Sequence, residues 1–125
     1  MKKESQAILL RIFIGESDRY KGKSMYMHIL EMLKNEGIAG ATVFRGIAGF
    51  GKHSHVHTTS ILQLSTDLPI LIEIADIEEK IDKIKPKLDE IITQGLITEE
   101  KIKIIYTLYL DMLLQMMFHL YLMYY

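Results

Sequence analysis

Between Ile70 and Ile92 the hydrophobic period of the chain switches once, and this switch constrains the fold more than any other stretch. In Ile70–Ala75 the residues Ile70, Ile72 and Ile74 alternate with Leu71 and Glu73, a period of two that puts the two sets on opposite faces of a strand. Beyond Asp76, Ile77, Ile81, Ile84, Leu88, Ile91 and Ile92 recur at helical spacing, with lysines and acids between them. A strand feeding such a helix calls for a sheet covered by helices on one face. The helix is expected to open with Asp76 as N-cap and Glu79 as the acidic half of a capping box. Pro86 is expected to kink or break it, because proline lacks an amide and crowds the carbonyl one turn back, and Gly95 to end it.

The same alternation of periods is found earlier. Ala7–Ile14 reads as a strand, Glu16–Lys23 as a surface loop, and Ser24 as the start of a helix carrying Tyr26, Ile29, Leu30 and Leu33 and stopped by Gly37. Ala41–Phe44 and Ile61–Leu64 read as strands on either side of Gly46–His57, a long glycine-bearing loop, with Asp67 and Pro69 interrupting before Ile70. Lys101–Tyr106 reads as the last strand. Strand, helix, strand, strand, helix, strand is the ferredoxin-like split βαβ pattern (βαββαβ), an α+β fold with a four-stranded antiparallel sheet and both helices on one face. The strands carry apolar residues on both faces, so the uncovered face is expected to pack against other copies, and a homotrimer is the expected assembly.

With 125 residues the chain is expected to form one domain over 1–106, followed by a hydrophobic tail, 107–125. The tail has Asp111 and His119 as its only ionisable side chains apart from tyrosines, and Thr107, Asp111, Gln115 and His119 recur every four residues, the pattern of a helix with a wide apolar face. Burial in an oligomer or on a partner is the leading expectation for it, and direct membrane contact the second. The absence of cysteine excludes disulfides and thiolate chemistry and fits a cytoplasmic location, with membrane association through the tail as the variant. A net charge of −1 lacks the positive field that nucleic acid needs.

Phe44-Arg45-Gly46-Ile47-Ala48-Gly49-Phe50-Gly51, Leu64-Ser65, Asp67-Leu68-Pro69 before Ile72-Glu73-Ile74, and Gly95-Leu96-Ile97 together resemble the PII-like proteins catalogued as domain of unknown function 190, relatives of the nitrogen regulatory PII signalling proteins. The resemblance spans Ile8–Tyr106 and implies a regulator that binds a nucleotide between subunits and contacts a target protein through a mobile loop. It also implies that Gly49 and Gly51 let the backbone approach the ligand, with Lys52 in place of the PII arginine as countercharge. His53 stands where PII proteins have a metal-facing glutamine. In Gln94–Lys101 the first glycine, Gly95, and the last lysine, Lys101, match the PII phosphate-binding segment, whereas Thr98 and Glu100 replace two of its glycines. An acid at Glu100 favours AMP or ADP over ATP as the implied ligand. A membrane transporter or channel is the implied kind of target.

His53, His55 and His57 alternate, so an extended backbone would aim all three imidazoles to one side. The alternative reading is therefore a metal-binding trimer resembling the CutA relatives, with these histidines holding a divalent metal. Glu73, among apolar neighbours, is expected in an interface salt bridge or hydrogen bond, and His28 as a partly buried, hydrogen-bonded helix residue. No pattern of nucleophile, base and oxyanion donors is present, so the expected role is binding and not catalysis.

Overall fold

The computed structural model describes residues 4–51, 67–105 and 121–123. Its elements are β1 (Ser5–Gly15), β2 (Arg19–Tyr20), β3 (Lys23–Ser24), α1 (Met25–Asn35), β4 (Ala41–Arg45), β5 (Pro69–Asp76), α2 (Glu78–Ile91) and β6 (Leu96–Ile104). The main sheet has four strands in the order β4-β5-β1-β6, with every neighbouring pair antiparallel. This is the ferredoxin-like arrangement expected from the order of periods. Residues 52–66, and with them the strand expected at Ile61–Leu64, lie outside the described residues, as does most of the tail. Residues 121–123 are helical with exposed side chains. Among the described residues no helix is long and apolar enough to cross a membrane.

One side of the central strands carries the core. Ile8, Leu10, Ile12 and Ile14 of β1 and Ile70, Ile72 and Ile74 of β5 pack against Met25, Ile29 and Leu33 of α1 and Ile81, Ile84, Leu88 and Ile91 of α2. Each such side chain contributes about 1.5–3 kcal/mol when withdrawn from water. The buried stripe of α1 is Met25–Ile29–Leu33, one residue round from the Tyr26–Leu30 line expected, and both of those are only partly buried. Gly37, with φ +78°, closes α1 in a Schellman turn, its amide donating to the Lys34 carbonyl and the Ile38 amide to that of Leu33.

Several local expectations are corrected by tertiary pairing. Asp76 does not cap α2: the N-cap is Ile77, without a side-chain cap bond, because Asp76 is the last residue of β5 and its register opposite Ile8 buries it. Its carboxylate instead accepts from the Ile77 amide at 2.8 Å and the Ala39 amide at 3.0 Å, tying the end of β5 to the α1–β4 connection. Glu79 pairs along the helix with Lys83 and forms no capping box. Ser24 stands at the N-cap of α1, but the Asp18 carbonyl takes the Met25 amide and the serine hydroxyl makes no cap bond. Helix α2 continues through Pro86, whose ring lies on the exposed face of the helix, where it displaces no core side chain. The loop expected at Glu16–Lys23 holds the β2–β3 ribbon, whose turn residues Lys21 and Gly22 both have positive φ, 50° and 78°, as a tight hairpin requires. Helix α2 ends at Ile91 rather than Gly95, and β6 begins well before Lys101, because Leu96 and Ile97 pair with Phe13 and Ile12.

Replacing Asp76 by alanine orphans two amides at once. The expected outcome in urea unfolding is a loss of about 1–3 kcal/mol for Asp76→Ala with an unchanged m-value.

Candidate functional site

The root of the long connection is built at the sheet end where Gly15 faces Pro69. Leaving β4, the Gly46 amide donates to the Pro69 carbonyl at 2.7 Å. A Cβ at Gly46 would come within 2.8 Å of Pro69 Cγ, and one at Gly49 within 2.9 Å, so this stretch lies flat on the proline ring only because both residues are glycine. Across the same end the Glu16 amide donates to the Leu68 carbonyl at 2.8 Å and the Ser17 amide to Asp67 Oδ1 at 3.1 Å. Arg45 Nε donates to Glu16 Oε2 at 2.6 Å, completing the fastening of the β4 end to the β1 end. The result is a fixed base from which Ile47 and Phe50 project, 87% and 80% exposed.

Gly95 sits at the same end of the sheet but at the opposite edge. A Cβ there would meet the Phe13 carbonyl oxygen at 2.8 Å and the Ile14 and Ile92 side chains at 3.1 Å, so glycine lets the α2–β6 turn close on β1. Three strand spacings, roughly 14 Å, separate the β4 edge from the β6 edge, so one chain does not bring Gly46–Gly51 and Gly95 together. Lys101 stands opposite Ile8, far along β6 from Gly95 and toward the other end of the strand. Thr98 and Glu100 are likewise strand residues, opposite Arg11 and Leu9. Lys52 and the three histidines His53, His55 and His57 lie outside the described residues. Among the described residues no three His, Cys, Asp or Glu side chains are placed to hold a metal ion.

Sequence reasoning missed the role of Arg11. On the sheet face away from the helices, Phe44, Leu71, Phe13 and Leu96 form one row across the four strands, and Thr42, Glu73, Arg11 and Thr98 form the next. Arg11 Nε donates to Glu73 Oε2 at 3.2 Å and its Nη1 to Glu100 Oε2 at 3.0 Å. The salt bridge expected for Glu73 at an interface is instead made within its own chain. These bonds, Glu73 first and then Glu100, raise the Arg11 pKa further above its ordinary value. The available signal was the lone cation interrupting the apolar run Ala7–Ile14. His28 packs its ring 4.7 Å from that of Tyr20, and its Nδ1 is buried without the hydrogen bond expected. An open groove of about 460 Å³ between α2 and β6 has Leu10, Leu88 and Ile97 among its lining. At its rim Lys85 binds Glu99 and Asp82, which raise its pKa in that order.

Known structures share this architecture. A PII-like nitrogen regulatory protein, CPII from Thiomonas intermedia K12, solved with ADP, AMP and bicarbonate, superposes with a TM-score of 0.59 over 82% of this chain and 98% of its own, at 17% identity. A Thermus thermophilus protein described as PII-like signaling superposes with a TM-score of 0.57 over 83% and 98%, at 16% identity. The fold is therefore PII-like. At the level of sequence, a UPF0166 protein of Methanocaldococcus jannaschii is 47% identical over 93 residues, 74% of this chain and 85% of its own. One from Aquifex aeolicus is 45% identical over 100 residues, 78% and 92%. Residues 7–104 match the family DUF190, described as uncharacterized ACR, and the chain belongs to that family.

The Phe13 carbonyl leaves a methyl group at position 95 no room. Gly95→Ala is expected to lose about 1–3 kcal/mol of stability, seen as a lower melting temperature by circular dichroism.

Proposed function

We propose that this protein is a PII-like regulator whose ligand, an adenine nucleotide, sits in clefts between the subunits of a homotrimer. The observation that carries the reading is that the glycine root Gly46–Gly51 and the Gly95 turn occupy one end of the sheet at opposite edges. Each chain then presents two halves of a cleft that only a neighbouring copy completes. The likeness to CPII, solved with ADP and AMP, supports the ligand class. In this reading Gly49 and Gly51 admit the backbone to the ligand, Lys52 supplies the countercharge and Gly95 approaches from the neighbour, whereas Lys101, toward the far end of β6, stands apart from that turn. AMP and ADP are favoured over ATP in this reading, because Thr98 and Glu100 replace two glycines of the PII phosphate-binding segment that this stretch resembles.

In this reading ligand binding orders the Gly46–Thr59 loop, whose two states differ in affinity for a target protein, a membrane transporter or channel. The protein acts in the cytoplasm by binding and release, without catalysis.

Differential scanning fluorimetry with AMP, ADP, ATP and zinc tests this. AMP or ADP at about 100 times its Kd stabilises by roughly 2.7 kcal/mol, a rise of several degrees that Lys52→Ala abolishes. A rise with zinc alone, removed by replacing His55 and His57, would overturn the nucleotide reading.

A further inference from the structure

The two helices leave one strip of their own side of the sheet bare. Ile97, Glu99 and Lys101 of β6 stand opposite Ile12, Leu10 and Ile8, so with Lys103 they face the side that α1 and α2 occupy. All four are exposed, Ile97 by 39%. The open groove between α2 and β6 runs into this strip, with Leu10 and Leu88 as its apolar floor and Ile97 on its strand side. Around it Lys85 holds Glu99 and Asp82, and Lys103 holds Glu4, whereas Lys101 has no ionic partner among the described residues.

We infer that the occupant of this groove is the chain's own tail, lying over residues 107–120 as a third helix beside α2. Position, length and charge each select it. The tail leaves from the end of the bare strip, since β6 stops at Ile104. Run back along the strand, a helix over 107–120 covers about 21 Å, and β6 from Ile104 to Ile97 covers about 23 Å, so the helix ends over the groove. Asp111 is the tail's only acid, and it comes about 6 Å back from the start of that helix, within reach of the Lys101 side chain. Leu110, Leu113, Met117 and Leu120 recur at three and four residues on the helix face opposite Thr107, Asp111, Gln115 and His119. The leucine and methionine line enters the groove, and the polar line runs along its outer rim. Residues 121–123, helical and exposed, then stand past the end of the groove.

The tail thus buries apolar surface against its own domain instead of in a bilayer. This placement uses neither the glycine root nor the Gly95 turn, so it stands or falls independently of the nucleotide reading.

The chain has no cysteine, so a pair of introduced thiols reports the placement directly. In the full chain carrying Glu99→Cys and His119→Cys, a short bismaleimide is expected to join the two thiols within one chain, seen by mass spectrometry as a single added linker at monomer mass. Cross-linked dimers, which put the tail in the groove of another copy, overturn the inference, and so do two separately labelled thiols with no link. Chymotrypsin provides the second measurement, because cleavage follows the population of undocked tail. Lys101→Glu is expected to speed release of the tail by about two- to fivefold, the worth of one surface ion pair, and adding Asp111→Lys to restore the wild-type rate. A rate that Lys101→Glu leaves unchanged, or a tail protected only when phosphatidylcholine vesicles are added, overturns it.

Discussion

The structure depends on the central position of β1. It pairs with β5 on one side and β6 on the other, and its alternate residues Ile8, Leu10, Ile12 and Ile14 form the floor on which both helices rest. The opposite set, Leu9, Arg11 and Phe13, is committed by the same geometry to the uncovered face. A shift of register by one residue would drive Arg11 into the helix-covered core and bring Ile12 out. One arginine in the middle of the strand therefore reinforces the register that the isoleucines set.

Both glycine-bearing segments take their positions from this frame. The root of the long connection is pressed onto Pro69 at the start of β5, and Gly95 onto the Phe13 carbonyl of β1. These contacts are with backbone or with a rigid ring, so neither segment can relax without moving a core strand. The two ends of the proposed cleft are anchored to β5 and β1, the central strands of the sheet. The Arg11 cluster lies two residues along β1 from Phe13, so it and the Gly95 turn share one strand.

The order of elements was legible because each buried face repeats a simple period. Ile70, Ile72 and Ile74, followed by Ile81, Ile84 and Leu88, announce strand and then helix without reference to any other part of the chain. The family could be recognised from Phe44–Gly51 and Gly95–Ile97. The candidate site was legible only in part. Glycine clusters mark where backbone comes close to something, but Pro69 as what Gly46 and Gly49 approach becomes visible only once β4 lies beside β5.

The sequence by itself determined the fold class, the buried face of α2 and the segments that carry the glycines, since period and turn chemistry are local. Tertiary structure alone decided that Asp76 would tie β5 to the α1–β4 connection instead of capping α2, and that Leu96–Glu100 would be strand. It also decided that Arg11 would hold two glutamates 62 and 89 residues away. The physical reason is that strand register joins residues remote along the chain. Which side chains then share a face, and whether their charges balance, is a property of the pairing and of no single segment.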